Sequence, residues 1–168
     1  MLLLESAINR VRYFEGKEGR IPTAAGYFAT ISPDPELAKA IDEVFAVRDV
    51  IVHNHVWEAQ ICWERGQGMK FVAPPEIREG YGDKRFKQIM DPESRLSRHL
   101  KLNLFPSRIW RRDAYIALKT VGQALRILGA MNSGRHTLDD EYFEFQGREV
   151  TFYEAIEELY NDYTTGKE

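Results

Sequence analysis

The sequence predicts an all-α protein, an up-and-down helical bundle that carries a small β-hairpin and an inserted loop. Three observations predict it. Apolar residues recur at helical spacing over 2–15, 35–65 and 108–130. Helix-start chemistry stands ahead of the second and third of these segments, at Asp34-Pro35 and Ser107. The clearest hairpin pattern is confined to 142–152.

The elements follow in order. Leu3, Leu4, Ala7, Ile8, Val11 and Phe14 place a helix over 2–15, which Gly16, Gly19 and Pro22 interrupt. A second, short helix is expected over 23–31. Asp34 as N-cap and Pro35 at the first helical position then open a long helix. Leu37, Ile41, Val44, Phe45, Val52, Trp57, Ile61 and Cys62 sustain it to about Arg65, and Gly66-Gln67-Gly68 stops it. Residues 69–73 read as extended, Pro74-Pro75 and Tyr81-Gly82 as loop, and 86–90 and 93–101 as helices. The stretch 66–106 is long for a connection between bundle helices, which marks it as an insertion or lid within a single domain, 1–168. Ser107 is expected to cap a helix over 108–130, whose apolar side holds Ile109, Ile116, Val121, Ala124, Leu125 and Leu128. Residues 142–145 and 149–152 flank Gln146-Gly147-Arg148 as a hairpin. Thr151 and Glu154 form a capping-box pattern at the start of the last helix, 152–163.

An apolar share of 43% with well-mixed charge describes an ordinary folded domain and excludes a disordered chain. Met1-Leu2-Leu3-Leu4 is followed at once by Glu5, too short a run for a signal-peptide core or a membrane span, so a cytoplasmic helix is expected. Cys62 reads as a buried small hydrophobe in a reducing compartment rather than a nucleophile. Charge is unevenly spread. Residues 78–126 hold twelve Lys/Arg against five Asp/Glu, and 136–168 hold two against ten. The basic third either attracts phosphate or pairs with the acidic tail.

Arg48-Asp49-Val50-Ile51-Val52-His53-Asn54-His55 concentrates polar groups inside the long helix, where each needs a partner or a cleft. Helical geometry sets Asp49 beside His53, and Arg48 on one stripe with His55. Arg48 and His53 lie about 140° apart, so they share a cleft only through the reach of arginine or a cleft that wraps the helix. The set suits metal-free phosphoryl transfer on RNA. An imidazole exchanges protons with the 2′-hydroxyl and the leaving 5′-oxygen, while a guanidinium fork meets the phosphate charge.

Arg48-x4-His53, with Asp directly after the arginine, resembles the Arg-x4–6-His signature of HEPN domains, and it stands on a long helix of an all-α chain as it does there. The resemblance implies a small helical bundle that homodimerises and so brings two motifs into one cleft. It further implies a metal-independent endoribonuclease that leaves a 2′,3′-cyclic phosphate, of the toxin, defence or RNA-processing kind. In that reading Arg48 stabilises the phosphate, His53 is the general acid/base, Asp49 orients it and His55 assists. The alternative within the family is a catalytically silent module that binds RNA or a protein. Where family toxins continue His-x-Tyr, this chain has His53-Asn54-His55, which speaks against control by an antitoxin-type partner through that tyrosine.

Plainer readings stand beside these. Arg48 and Asp49 could be a structural ion pair, and Asn54 a helix-facing amide with a secondary chance of touching substrate. Arg108, Arg111 and Arg112 crowd a helix N-terminus, an unfavourable place for cations that points to a phosphate partner or to solvated surface. Trp57 and Trp63 are expected in the core or a dimer contact. No metal or cofactor is expected, because His-x-His on a helix points its rings about 200° apart, and His99 and His136 are remote.

Overall fold

The computed structural model describes residues 2–17, 23–53, 57–58, 61–66, 68–71, 76–77, 84–131, 138 and 141–165. Along it run helices α1 (Leu2–Phe14), α2 (Ala24–Ile31) and α3 (Pro35–His53), then strands β1 (Trp57–Glu58), β2 (Ile61–Glu64), β3 (Gly68–Phe71) and β4 (Glu76–Ile77). Helix α4 (Lys84–Ile89), a 3-10 turn (Pro106–Arg108) and helix α5 (Arg111–Met131) follow. Strands β5 (Tyr142–Phe145) and β6 (Arg148–Thr151) lead into α6 (Phe152–Thr165). Helices make up most of the described residues. α1, α2, α3 and α5 close a ring in which α1 packs on α2 and α5, and α3 packs on the same two; α6 lies against α5.

The start signals at Asp34 and Thr151 have their physical counterparts, and Thr23 adds another. Thr23 caps α2, its hydroxyl accepting the Gly26 N–H at 3.0 Å. Asp34 Oδ1 accepts the N–H groups of Glu36 and Leu37, at 2.9 and 3.2 Å, and so caps α3. Thr151 and Glu154 cap α6 reciprocally: the Thr151 N–H donates to Glu154 Oε2 at 2.7 Å, and the Glu154 N–H donates to Thr151 Oγ1 at 3.3 Å. The β5–β6 loop has positive φ at both Gln146 and Gly147, the backbone that suits a two-residue hairpin.

The core follows the helical stripes. α1 contributes Leu4, Ile8 and Val11. α3 is the central helix, mostly buried between Leu37 and Val50, whereas Ile51 and Val52 stand exposed. α5 buries Val121, Ala124, Leu125 and Leu128 against it. At Gly122 a Cβ would meet the Tyr153 ring at 3.1 Å, so the glycine permits the close approach of α5 and α6. From residue 84 on, the 66–106 stretch is packed into the same core, through Phe86, Ile89, Met90, Leu102 and Leu104.

Three expectations are corrected. The long helix ends as α3 at His53 and does not reach Arg65. Residues 57–58 and 61–64 are extended, with Ile61 paired to Phe71 and Trp63 to Met69. Ile51 and Val52 are already exposed, so the last described turn of α3 leaves the core, and positive φ at Gly66 and Gly68 accompanies the β2–β3 hairpin. Trp63 is consequently exposed and Cys62 only half-buried. The 93–101 helix is instead a chain of turns. Asp91 Oδ1 accepts the N–H groups of Glu93 and Ser94, Arg95 and Lys101 adopt positive φ, and isolated bridges join Met90 to Ser97 and Leu96 to Asn103. Ser107 does not cap α5. It sits in the 3-10 turn, and the helix begins four residues later, at Arg111, with Asp113 as its capping group.

Two buried carboxylates fix that irregular segment. Glu43 of α3 accepts the backbone N–H groups of His99 and Leu100, at 2.7 and 2.8 Å. Asp113 of α5 accepts the N–H groups of Asn103 and Trp110, both at 2.9 Å, and the Asn103 amide at 2.8 Å. Glu43→Ala leaves two backbone donors without their acceptor. It is expected to cost about 2 to 4 kcal/mol in urea unfolding, with Glu43→Gln recovering part of the loss. An unchanged midpoint for Glu43→Ala would contradict this anchoring role.

Tyr27 is fully buried on α2 and donates from its hydroxyl to Glu15 Oε2 at 2.8 Å. Burial, then this hydrogen bond, push its pKa up to about 12 from 10.0. The fold favours the protonated phenol, so the contribution is whole below pH 10 and is lost as pH rises towards about 12. Unfolding free energies of wild type and Tyr27→Phe should therefore converge across that window, and parallel pH profiles would refute it.

Candidate functional site

The surface end of α3 carries the polar cluster. Arg48 and Asp49 occupy the last mostly buried turn, with side chains 25% and 41% exposed. They are thus at the protein surface and not sealed in the core. Arg48 donates from Nε and Nη2 to Asp49 Oδ1, at 2.9 and 2.7 Å, and from Nη1 to Glu5 Oε2 of α1 at 2.6 Å. Its guanidinium lies over the Phe45 ring, 4.9 Å from the centroid. Burial works against the Arg48 charge, but the hydrogen bonds to Asp49 and Glu5 outweigh it and hold the pKa above its ordinary value. Three of the five guanidinium N–H bonds are thereby directed at carboxylates.

Glu5 is the member that sequence reasoning missed. It lies 43 residues from Arg48, and its only local signal is its place beside Leu4 on the amphipathic α1. Asp49, expected to orient His53, commits Oδ1 to Arg48. The backbone of His53 is the last residue of α3, and its ring is not described; Asn54 and His55 lie outside the described residues. The described geometry therefore unites Arg48 with Asp49 and leaves the His53 and His55 sides of the cluster as expectations.

An open, mostly apolar cavity of about 200 Å³ lies between α3 and the start of α5. Val47, Arg48, Ile51 and Val52 line it from α3, and Ile109 and Ala114 from the other side. The expected arginine group adjoins it, because Ile109 lies between Arg108 and Trp110 in sequence. Arg108 and Arg111 are exposed. Arg112 donates from Nη1 to the Lys101 carbonyl at 3.0 Å and stands 3.8 Å from Asp113 Oδ1. The buried Asp113 carboxylate supplies, in the first turn of α5, the negative charge that its dipole favours, which makes three arginines there tolerable. Among the described residues no three His, Cys, Asp or Glu side chains converge as a metal set would.

No protein-family model matches the chain, and neither a curated protein nor a solved structure matches it. The site thus has to be judged on its own chemistry. Because Arg48, Glu5 and Asp49 are partly solvated, Arg48→Ala is expected to cost about 1 to 2 kcal/mol and to leave the protein folded by circular dichroism. A loss of about 4 kcal/mol, the signature of a sealed ion pair, would return the cluster to a structural role.

Proposed function

We propose that the chain is a HEPN-like, metal-independent endoribonuclease that works as a homodimer. The observation that carries this reading is the position of Arg48 and Asp49. They lie on the surface end of one helix, five and four residues before His53, with Arg48 on the wall of an open cavity. A mostly helical scaffold with the motif at an accessible helix end suits a cleft that a second copy completes. Two of the most exposed apolar side chains of α3, Ile51 and Val52, flank it.

In this mechanism His53 takes the proton from a ribose 2′-hydroxyl, and the 2′-oxygen attacks the adjacent phosphorus. Arg48 donates hydrogen bonds to the non-bridging oxygens as their charge grows. The bond to the 5′-oxygen breaks as a protonated imidazole, His55 or the other His53, delivers a proton to it. The products are a 2′,3′-cyclic phosphate and a 5′-hydroxyl. Asp49 orients the basic groups, while Asn54, Arg108, Arg111 and Arg112 hold the strand. An antitoxin-type protein partner would act by covering this cleft.

The pairing of Arg48 with two carboxylates favours a second reading. With two carboxylates on its fork, a phosphate gains little there unless it displaces Glu5, the single-bond partner. A catalytically silent RNA-binding module would then rely on Arg108, Arg111 and Arg112. The test is cleavage of structured and unstructured RNAs in EDTA by wild type, Arg48→Ala and His53→Ala, with the new ends analysed. Cleavage to cyclic phosphate that falls about 100-fold or more in both variants is expected. Cleavage equal in all three proteins would sink the catalytic assignment. RNA retention without cleavage, insensitive to His53→Ala but lost when the three arginines are neutralised, would establish the silent module.

A further inference from the structure

We propose that Trp110 is a base-stacking platform which, with Arg108 and Arg111, makes the start of α5 a binding site for single-stranded RNA. The inference rests on the RNA reading above and deepens it by naming the form of RNA and the subsite that selects it.

Trp110 is 69% exposed, as Trp63 is at 77%, but Trp110 stands between two exposed arginines along the chain. Nothing about its backbone is loose. Its N–H donates to the buried Asp113 Oδ2 at 2.9 Å, and its carbonyl accepts the first α5 N–H bond, from Ala114 at 3.1 Å. The indole is therefore presented on a fixed stalk. On either side along the chain stand Arg108 and Arg111, both exposed, with Arg112 and Lys101 close by. An exposed aromatic ring interleaved with cations is what an unpaired nucleotide needs, because the ring meets the base face and the guanidinium groups meet the flanking phosphates. A duplex hides its base faces in the stack and would gain only the charge term.

Placement links this patch to the catalytic candidates. Ile109, between Arg108 and Trp110, lines the same cavity as Arg48 and Val52, and Ala114, one turn on, lines it too. Trp110 itself does not line that cavity, so the platform adjoins it through Ile109 and Ala114. Trp110 is thus a specificity-determining positioning residue for unpaired RNA, distinct from the groups assigned to proton transfer.

The test uses the whole chain and a fluorescein-labelled 2′-O-methyl ribo-oligonucleotide, which lacks the attacking hydroxyl, so that binding is read by anisotropy apart from cleavage. Single-stranded and self-complementary duplex forms are compared over a salt series. Trp110→Ala is expected to weaken single-strand binding about 5- to 100-fold, the size of one base–aromatic stack, with the salt slope unchanged. Trp110→Phe should keep most of the affinity, which separates lost stacking from lost folding. The double variant Arg108→Ala/Arg111→Ala should instead flatten the salt slope by about one to one and a half units. Equal binding by Trp110→Ala and wild type, or a duplex bound as tightly as the single strand, would overturn the proposal. Trp110-dependent binding alongside no cleavage of ordinary RNA supports the platform and removes only the ribonuclease. Cleavage that ignores Trp110 removes only the platform.

Discussion

Much of this fold depends on two buried carboxylates. Glu43 and Asp113 project from the two central helices α3 and α5, and both direct their oxygens at backbone N–H groups of the irregular stretch between them. Buried backbone donors must be paired, and a segment of turns cannot pair them internally as a helix does. The carboxylates supply the acceptors instead. Hydrogen bonds to a carboxylate are stronger than neutral ones, and each of the two carboxylates spans two backbone donors. Held so, Leu102 and Leu104 drop into the core, and the chain is delivered to Trp110 at the point where α5 starts.

The site inherits its shape from that arrangement. Its cavity exists because α3 stops being buried at Val50 while the Ile109 side of the stapled segment closes over the opposite wall. Arg48 faces this space with its charge already answered by Glu5 and Asp49. Asp49 takes two donors from the same side chain, whereas Glu5 takes one from another helix. The two contacts therefore differ in strength: the chelating pair is local to α3, and the Glu5 contact depends on how α1 sits.

The fold was legible in the sequence wherever the deciding interaction is local. Asp34 with Pro35, Thr151 with Glu154, and Gln146 with Gly147 announce their caps and turn within four residues, and each forms as the pattern predicts. Legibility failed where a distant partner decides. Trp57, Ile61 and Cys62 fit a helical stripe as well as they fit strands, and only the end of the core at Val50 separates the two. The 93–101 region has helical composition, yet Glu43, 56 residues from its His99 partner, captures the very N–H groups a helix would use. At the site, Arg48 and Asp49 could be found by spacing, whereas Glu5, 43 residues away, could not. Trp110 escaped notice because exposure, its informative property, has no signature in a helical pattern.

These contrasts decide how an RNA strand would approach, on the reading proposed above. Screened attraction reaches about one Debye length, roughly 8 Å at physiological salt, so distant steering depends on net local charge and not on any one arginine. Around Arg48 that net charge is small, since one cation stands between two carboxylates. At the start of α5, Arg108 and Arg111 are exposed, and the nearby carboxylate of Asp113 is buried and engaged with backbone donors. On that reading capture would fall to α5 and chemistry to α3. The strand meets Arg48 only at hydrogen-bonding range, where a phosphate can compete with Glu5 oxygen for oxygen. An arginine guarded in this way would bind weakly to passing phosphates and respond to one already positioned, the selectivity that the proposed ribonuclease would need.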